Sequence, residues 1–390
     1  MSAGHTHGRD GGNLHIPAPL ARRLTFTVVP FAVIVLVGIV VLWPHGRGPN
    51  LTDVFGSQKL IKATVVSVDS GDCANGDCRV VQVRLRDGPH KGAIVTLQSS
   101  GTAGPAIHLG DRVVVGSSTD GGGRSYFFAD YDRDFPLLVL GLLFVGAAVV
   151  FGRVSGLRAL AALVASLVAL VAFVIPSVLH GHSPIAVALV GAAFIMLVVL
   201  YVTGGFNTQT TVAVLGTLAS LALIAALAWI FVQASKLTGL ADEDAAYLSA
   251  AASSINLQGL LLGGIIIGSL GVLDDMTVTQ VSAVWELRRA NDEYDARTLY
   301  LAAERVGRDH IASTVNTLVL AYAGASLPLL IYFTQSNVHL RQVLTSEVVA
   351  VEIVRTLVGS IGLIASVPIT TALAAYVVTR PHVEAEADLH

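Results

Sequence analysis

Residues 264–286, GIIIGSLGVLDDMTVTQVSAVWE, join a strongly apolar run to two adjacent carboxylates. Asp274 and Asp275 follow that run without a turn signal, so the pattern predicts a helix that continues past them. Seven small or oxygen-bearing residues recur every three or four positions and therefore share one helix face: Gly264, Gly268, Gly271, Asp275, Thr279, Ser282 and Glu286. The sequence thus predicts a glycine groove that leads into a row of polar side chains.

The whole chain has the composition of an integral membrane protein. Its 390 residues are 53% hydrophobic and 13% charged, whereas soluble domains carry about 25% charged residues. Apolar runs near the roughly 20 residues that cross a bilayer predict about eight spans, at about 24–43, 135–151, 157–179, 184–203, 210–232, 257–275, 311–333 and 354–378. A net charge of −3 gives no indication of a nucleic-acid partner.

Residues 51–134 have a different pattern from the rest of the chain. Short β-branched segments such as KLIKATVVSVD (59–69) and RVVQVRLRD (79–87) alternate with clusters of Gly, Asp, Asn and Pro. This pattern is typical of a small antiparallel β-domain or barrel, which would lie between spans one and two.

The positions of Arg residues predict the orientation of the chain in the membrane. Arg22 and Arg23 precede the first span, further arginines follow the second and sixth spans, and Arg380 follows the last. Because short basic loops stay cytoplasmic, we expect a disordered cytoplasmic tail (1–23), an uncleaved anchor (24–43), an extracytoplasmic β-domain, a cytoplasmic helix (276–310) and a cytoplasmic tail (379–390).

The only two cysteines, Cys73 and Cys78, fall in this β-domain. An extracytoplasmic location favours a disulfide between them, because disulfides persist in oxidising compartments. Two cysteines without an adjacent histidine do not make a zinc site, so we predict no metal there and no cofactor elsewhere.

The candidate solute or ion path is built from polar residues in apolar surroundings. It comprises Asp275, Asp274, Thr279, Ser282, Glu286, Asn316, Asn207, Glu352 and Arg355. Charged groups inside a membrane are costly and usually serve ion or solute handling, and Asn316 is expected to be buried and to find a helix partner. Asn207 lies in GGFNTQT (204–210), which is either a broken-helix site or a plain turn. Glu352 and Arg355 can form an (i, i+3) pair, which is either part of a path or an interfacial ion pair.

The same residues admit a purely structural interpretation. Gly264, Gly268 and Gly271 can pack against another helix, within one chain or between chains. Asp274 and Asp275 can mark the end of the span, with Thr279 and Ser282 on a solvated helix. Both alternatives stay open at the level of sequence, as does homo-oligomerisation.

These residues also carry a resemblance to a known family. The chain resembles the YibE/F family of bacterial membrane proteins, in which a glycine-rich span runs into a Leu-Gly-x-x-x-Asp element and then a helix that ends near Glu-Leu. Here the element is Leu270, Gly271 and Asp275, followed by Glu286 and Leu287. The resemblance covers roughly 135–378 and implies a multi-pass protein of the bacterial plasma membrane, without implying a reaction.

Two functions from different classes fit the sequence. The first is a secondary transporter or permease for a small solute or ion, since no Gly-x-x-x-x-Gly-Lys-Ser/Thr phosphate loop is present. The second is a membrane scaffold or sensory protein that uses the β-domain and the cytoplasmic helix to bind partners. An enzyme is not expected, because the two aspartates are neighbours about 100° apart on a helix, whereas an aspartyl protease needs facing carboxylates.

Overall fold

The computed structural model describes residues 18–45, 59–73, 76–100, 106–120, 123–241, 255–335 and 339–380, with 245, 247, 248 and 250 described singly. The chain divides into two compact units. One comprises Asn50–Leu157, and the other comprises Met1–Pro49 with Arg158–His390.

The smaller unit contains a five-stranded antiparallel sheet. Its strands are β1 (Lys59–Cys73), β2 (Gly76–Leu85), β3 (Ile94–Ser100), β4 (Arg112–Asp120) and β5 (Gly123–Tyr131), in the order β3-β2-β1-β4-β5. Alternate residues of these strands point into one apolar core, as a period of two requires. Ile61, Ala63 and Val65 of β1 are buried there with Val81 and Val83 of β2. The predicted β-domain is confirmed as a half-barrel of strands.

A glycine in the last hairpin of this sheet leaves room for an aromatic ring. The ring of Phe127 on β5 lies over Gly116 of β4, where an added Cβ would be 2.3 Å from the ring.

The side chains of Cys73 and Cys78 lie outside the described residues, so their disulfide stays a prediction.

The larger unit is helical, and the helix Asp134–Ala169 is divided between the two units after Leu157. Its elements are α1 (Ala18–Val41), α2 (Asp134–Ala169), a π-helical turn (Leu170–Val174), α3 (Ile175–Leu179), α4 (Pro184–Gly204), α5 (Thr208–Ala234), α6 (Leu257–Ala290), α7 (Ala296–Ala325), α8 (Leu327–Gln335), α9 (Leu340–Thr345) and α10 (Glu347–Val378). The main core is apolar and lies chiefly among α4, α5, α6 and α10.

Most of the predicted spans correspond to single helices. Within the described part of the chain, six helical segments are long and apolar enough to cross a membrane, or seven if the bent pair α7 and α8 is one span. That pair covers the span predicted at 311–333 but bends by 64° between Ala325 and Leu327. The chain is therefore multi-pass, and the count of eight stays a prediction.

The difference in count arises at Asp134–Leu179, where two spans were predicted. This segment has 46 residues, and one straight helix of that length would measure about 70 Å, more than twice the hydrocarbon thickness of a bilayer. Arg153 interrupts it with non-helical angles (φ 49°, ψ −127°). The interruption lies between the two predicted spans, at 135–151 and 157–179.

The helix through the two aspartates continues as predicted, since α6 ends only at Ala290. The single helix predicted over 276–310 is wrong. Asn291 adopts an extended conformation, and Asp295 starts α7 by accepting a hydrogen bond from the Thr298 backbone N–H. A side-chain acceptor at the N-cap is a strong helix-start signal. The segment is therefore a helical hairpin in which α7 returns along α6.

Candidate functional site

Buried polar side chains concentrate on three helices of the larger unit. Among the described residues, every buried polar or charged side chain except Ser177 belongs to α5, α6 or α10. They are Thr210, Thr211, Thr217 and Ser220 on α5, Ser269, Asp274, Thr277 and Gln280 on α6, and Ser360, Ser366, Thr370 and Thr371 on α10. A polar layer therefore runs through an otherwise apolar helix bundle.

Glycines bring α5 and α10 close enough to enclose this layer. A Cβ added at Gly362 of α10 would lie 2.1 Å from Ile224, and one added at Gly216 of α5 would lie 2.4 Å from the Thr370 hydroxyl. Distances this short mean that a side chain of one helix lies directly against the backbone of the other at each glycine. The two glycine contacts also show that α5 and α10 run antiparallel.

The registers of α6 follow from its own contacts. The Thr277 and Thr217 hydroxyls are 2.7 Å apart, and Gln209 donates to Ser282 over 3.0 Å, so α5 and α6 are antiparallel. A Cβ at Gly359 would lie 3.4 Å from the Ser269 hydroxyl. Since Met276 also packs with Leu363 and Val367 of α10, α6 and α10 are parallel.

Asp274 is the buried carboxylate of this layer. Its residue is 9% exposed, and its Oδ1 atom is buried without a hydrogen-bond partner among the described residues. The register places Ser220 of α5 within a turn of its level. An uncompensated buried carboxylate is costly, and this burial shows that Asp274 does not lie at a solvated helix end.

Asp275 occupies the opposite environment. Its side chain is 72% exposed and lies 3.7 Å from Nε2 of His310 on α7. The sequence pattern had placed Asp275 at the centre of the polar row and Asp274 beside it. The structure exchanges their environments, because the face that carries the glycines is the outer face of α6.

No helix of the described residues packs against the glycine stripe, so packing within the chain, one of the two alternatives for these glycines, is not seen there. A Cβ at Gly264 or Gly271 would meet nothing within 4 Å, and one at Gly268 would meet only the Tyr322 hydroxyl at 4.0 Å. Thr279 is exposed on the same face, and the exposed Glu286 pairs with Arg289. Packing between chains stays a prediction.

Two predicted residues do come together, at the α4–α5 break. Gly205 (φ 76°) ends α4, and the Asn207 side chain caps α5 by accepting from the Thr210 N–H over 2.8 Å. Asn207 and Ser282 line a pocket of about 160 Å³, together with Leu200, Gly204, Gln209, Thr210, Ala213, Val278 and Val281. The break is therefore a capped turn that also forms one wall of this pocket, which is called the polar pocket here because Asn207, Gln209, Thr210 and Ser282 lie in its otherwise apolar lining.

Glu352 and Arg355 lie in the first third of α10, at the end of this helix away from the pocket. They form the predicted (i, i+3) pair, with Nη1 of Arg355 2.8 Å from Oε1 of Glu352. The Nε atom of Arg355 is buried and unpartnered among the described residues. Nearer the start of α10, Glu347 accepts hydrogen bonds from the backbone N–H groups of Thr238 and Gly239.

The expectation for Asn316 is wrong. We expected a buried amide with a helix partner, but Asn316 is exposed on α7, and the described residues offer its side chain no hydrogen bond. The residue that fills this structural role is Gln280, which is 2% exposed and donates to the Ala303 carbonyl of α7 over 2.8 Å.

The sequence pattern overlooked most of the polar layer. Asp274, Thr277 and Gln280 recur at intervals of three on the face of α6 away from the glycine stripe, and this spacing could have revealed a second polar face. On α5 and α10, isolated Ser and Thr residues carry no such signal, because either residue can bond its own helix backbone. Within the described residues, no group of three or more His, Cys, Asp or Glu side chains could hold a metal ion.

Comparison with known proteins identifies the family. The family model for YibE/F-like protein matches residues 140–380, so the chain belongs to the YibE/F-like family. No curated protein and no solved structure matches the chain.

Proposed function

We propose that this YibE/F-like protein is a secondary transporter for a small solute or ion, and that Asp274 is the central group of its path. The observation that carries the proposal is a buried carboxylate, with one oxygen unpartnered among the described residues, in a polar layer that three membrane-length helices enclose. Intramembrane ionisable residues in a bundle interior usually mark ion or solute pathways.

The polar groups extend over the thickness of a membrane. Ser282, in the polar pocket, is eight residues from Asp274 and therefore about 12 Å along α6. By the register of Ser269 with Gly359, Asp274 lies at the level of residue 364 of α10, about 18 Å from Glu352. The distance from the pocket to the Glu352–Arg355 pair is thus about 30 Å, similar to the hydrocarbon core of a bilayer.

Each polar group has a role in this proposal. The pocket beside Asn207 and Gln209 admits the solute or ion from one side of the membrane. Asp274 binds it, or a coupled ion, midway, and the Glu352–Arg355 pair closes the path at the other side. Asp275, Thr279 and Glu286 lie on the outer face of α6 and are expected to affect transport less than Asp274.

The location of the protein belongs to the same proposal. We place it in the bacterial plasma membrane with both termini cytoplasmic and the half-barrel of strands outside, because the arginine-rich connections then all face the cytoplasm. We assign no enzymatic reaction, no cofactor and no nucleic-acid partner, and the open glycine face of α6 is available for homo-oligomer contacts.

A ligand-dependent stability assay tests the proposal with a matched pair of variants. Wild type, Asp274→Asn and Asp275→Asn would be purified in detergent, and their thermal unfolding measured with a panel of ions and small solutes. A ligand at about 100 times its Kd adds roughly 2.7 kcal/mol to the folded state. We expect a ligand that stabilises wild type and Asp275→Asn but not Asp274→Asn, and that wild-type proteoliposomes take up.

The opposite pattern would refute the assignment. If a ligand stabilises Asp274→Asn as strongly as wild type, Asp274 is not part of the binding site. If Asp275→Asn alone loses the response, the outer face of α6 carries the function. A response in neither variant nor wild type would favour a scaffold, which pull-downs with the complete chain would then examine.

A further inference from the structure

We propose that Asp274 binds a proton rather than a metal cation, and that this proton enters from the polar pocket past the Thr217–Thr277 hydroxyl pair. The coupling role of the proton rests on the proposed transport function, whereas proton binding itself does not. The evidence is the donor set around the carboxylate, its surroundings and the position of the hydroxyl pair.

The donor set around Asp274 suits a proton better than a metal ion. Hard metal ions such as Mg²⁺ and Ca²⁺ take six or more oxygen ligands. Among the described residues, Asp274 has one oxygen without a partner. The hydroxyls nearest its level have other partners: Ser220 donates to the Gly216 carbonyl, and the Thr277 hydroxyl lies within hydrogen-bond distance of the Leu273 carbonyl and of the Thr217 hydroxyl. A proton needs a single oxygen and leaves a neutral carboxyl group, which is far cheaper to bury than a carboxylate.

No charged side chain of the described residues is hydrogen-bonded to the buried Oδ1 of Asp274. Helix α5 has no ionisable side chain, and α4 has only Tyr201 near its end. On α10, Glu352 and Arg355 neutralise each other about 18 Å away. His310 of α7 lies near the same level but contacts Asp275 on the outer face. The other ionisable groups of α6, α7 and α10 are Glu286, Arg288, Arg289, Arg297, Tyr300, Glu304, Arg305, Arg308, Asp309, Tyr322, Glu347 and Tyr376.

The route to the carboxylate begins at the polar pocket. From Gln209 and Ser282, which bond over 3.0 Å, α5 and α6 lead inward to Thr217 and Thr277, whose hydroxyls are fully buried and 2.7 Å apart. Each hydroxyl can accept and donate a hydrogen bond, so the pair can pass a proton along this line. The proton comes from a hydronium ion of the aqueous solvent at the pocket: one O–H bond of hydronium breaks and leaves water, and one O–H bond forms on the Asp274 carboxylate.

Infrared spectroscopy of the purified full-length protein tests proton binding directly. A protonated carboxyl group in the core gives a carbonyl-stretch band that disappears as it ionises. We expect this band to titrate in wild type and in Asp275→Asn, and to be missing from Asp274→Asn. Asp274→Glu should keep a titrating band, which distinguishes a lost proton site from a misfolded variant. A band that survives in Asp274→Asn would overturn the assignment.

Ion substitution separates a proton site from a metal site. The band should titrate with the same midpoint when the salt is NaCl, KCl, LiCl or MgCl₂. A midpoint that falls with rising concentration of one of these cations would show competition for the carboxylate and would overturn the proposal. Such a result would leave the transport proposal standing with a metal cation in place of the proton.

Deuterium exchange of the same band tests the route. Thr277→Val keeps the side-chain shape but removes one hydroxyl, so deuteron transfer from D₂O to the Asp274 carboxyl should be about tenfold slower in this variant than in wild type, the rate equivalent of roughly one hydrogen bond. Thr279→Val, on the exposed face of the same helix, is the matched control and should exchange at the wild-type rate. Equal rates in Thr277→Val and wild type would refute the route. If all infrared results agree but proteoliposomes move no solute, the proton site stands and the transport function fails.

Discussion

Replacing Gly362 by alanine should destabilise the bundle, whereas replacing Gly271 should not. The added Cβ at Gly362 would lie 2.1 Å and 2.3 Å from Cγ1 and Cδ1 of Ile224. Carbon atoms prefer about 3.5–4.0 Å, so one partner must move by roughly 1.4 Å. Ile224 is fully buried, which leaves it little room to move.

The size of the effect follows from two opposing terms. Overpacking of a well-packed core costs about 1–3 kcal/mol, and alanine gains about 0.5–1 kcal/mol over glycine within a helix. We therefore expect Gly362→Ala to lose roughly 1–2 kcal/mol of unfolding free energy. At Gly271 no atom lies within 4 Å of the added Cβ, so only the helix gain remains, and stability should stay the same or rise by up to about 1 kcal/mol.

Unfolding in mixed micelles titrated with a denaturing detergent measures both variants. Tryptophan fluorescence reports the transition, since one of the three tryptophans, Trp285, is buried in an apolar cluster of the bundle. The double variant Gly362→Ala with Ile224→Ala should be more stable than the sum of its single effects, with a coupling of about 0.5–3 kcal/mol, because the two side chains compete for one space. Equal stabilities of Gly362→Ala and Gly271→Ala would refute the close approach of α5 and α10.

Three further predictions concern single features of the chain. Asn207→Ala removes the α5 cap and should cost about 1 kcal/mol, measured by the same unfolding assay with Asn207→Asp as the control that retains an acceptor. Hydrogen bonds from Thr298 hold the pKa of Asp295 below its usual value of 3.8, so its stabilising effect is present above that value and is lost as the pH falls below it. Asp295→Asn should therefore unfold with a weaker dependence on acid pH than wild type, and an identical dependence would contradict this role. Intact mass measured without reductant should be 2 Da lower than with it if Cys73 and Cys78 form the predicted disulfide, and equal masses would contradict the pairing.

The architecture could be predicted because each of its signals is local. Membrane-length apolar runs and period-two β-branched segments follow from the requirement that apolar surface leave water and that backbone groups be paired. These signals located the half-barrel and most of the membrane-length helices. The signal failed at Asn291–Asp295, because charges suited to a solvated helix are equally common in a turn, and the N-cap at Asp295 was overlooked.

The face of α6 that enters the bundle could not be predicted in the same way. Both the glycine stripe with Asp275 and the opposite row with Asp274 have helical spacing. In lipid, glycines and polar side chains both occur at helix–helix interfaces. Periodicity alone therefore could not tell which of the two faces packs inside the bundle. The choice rests on partners far away in the chain, among them Thr217 on α5 and Met276 with Leu363 on α10.

The sequence by itself therefore determined that the chain is a multi-pass membrane protein with a β-domain, and that α6 continues past two aspartates. Those features depend on composition and on intervals of a few residues. Only the tertiary structure decided that Asp274 is buried, that Asp275 is exposed, and that hydroxyls from three helices line one layer. The reason is physical: burial is fixed by which helices pack together, and contacts such as Gly362 with Ile224 join residues more than a hundred positions apart.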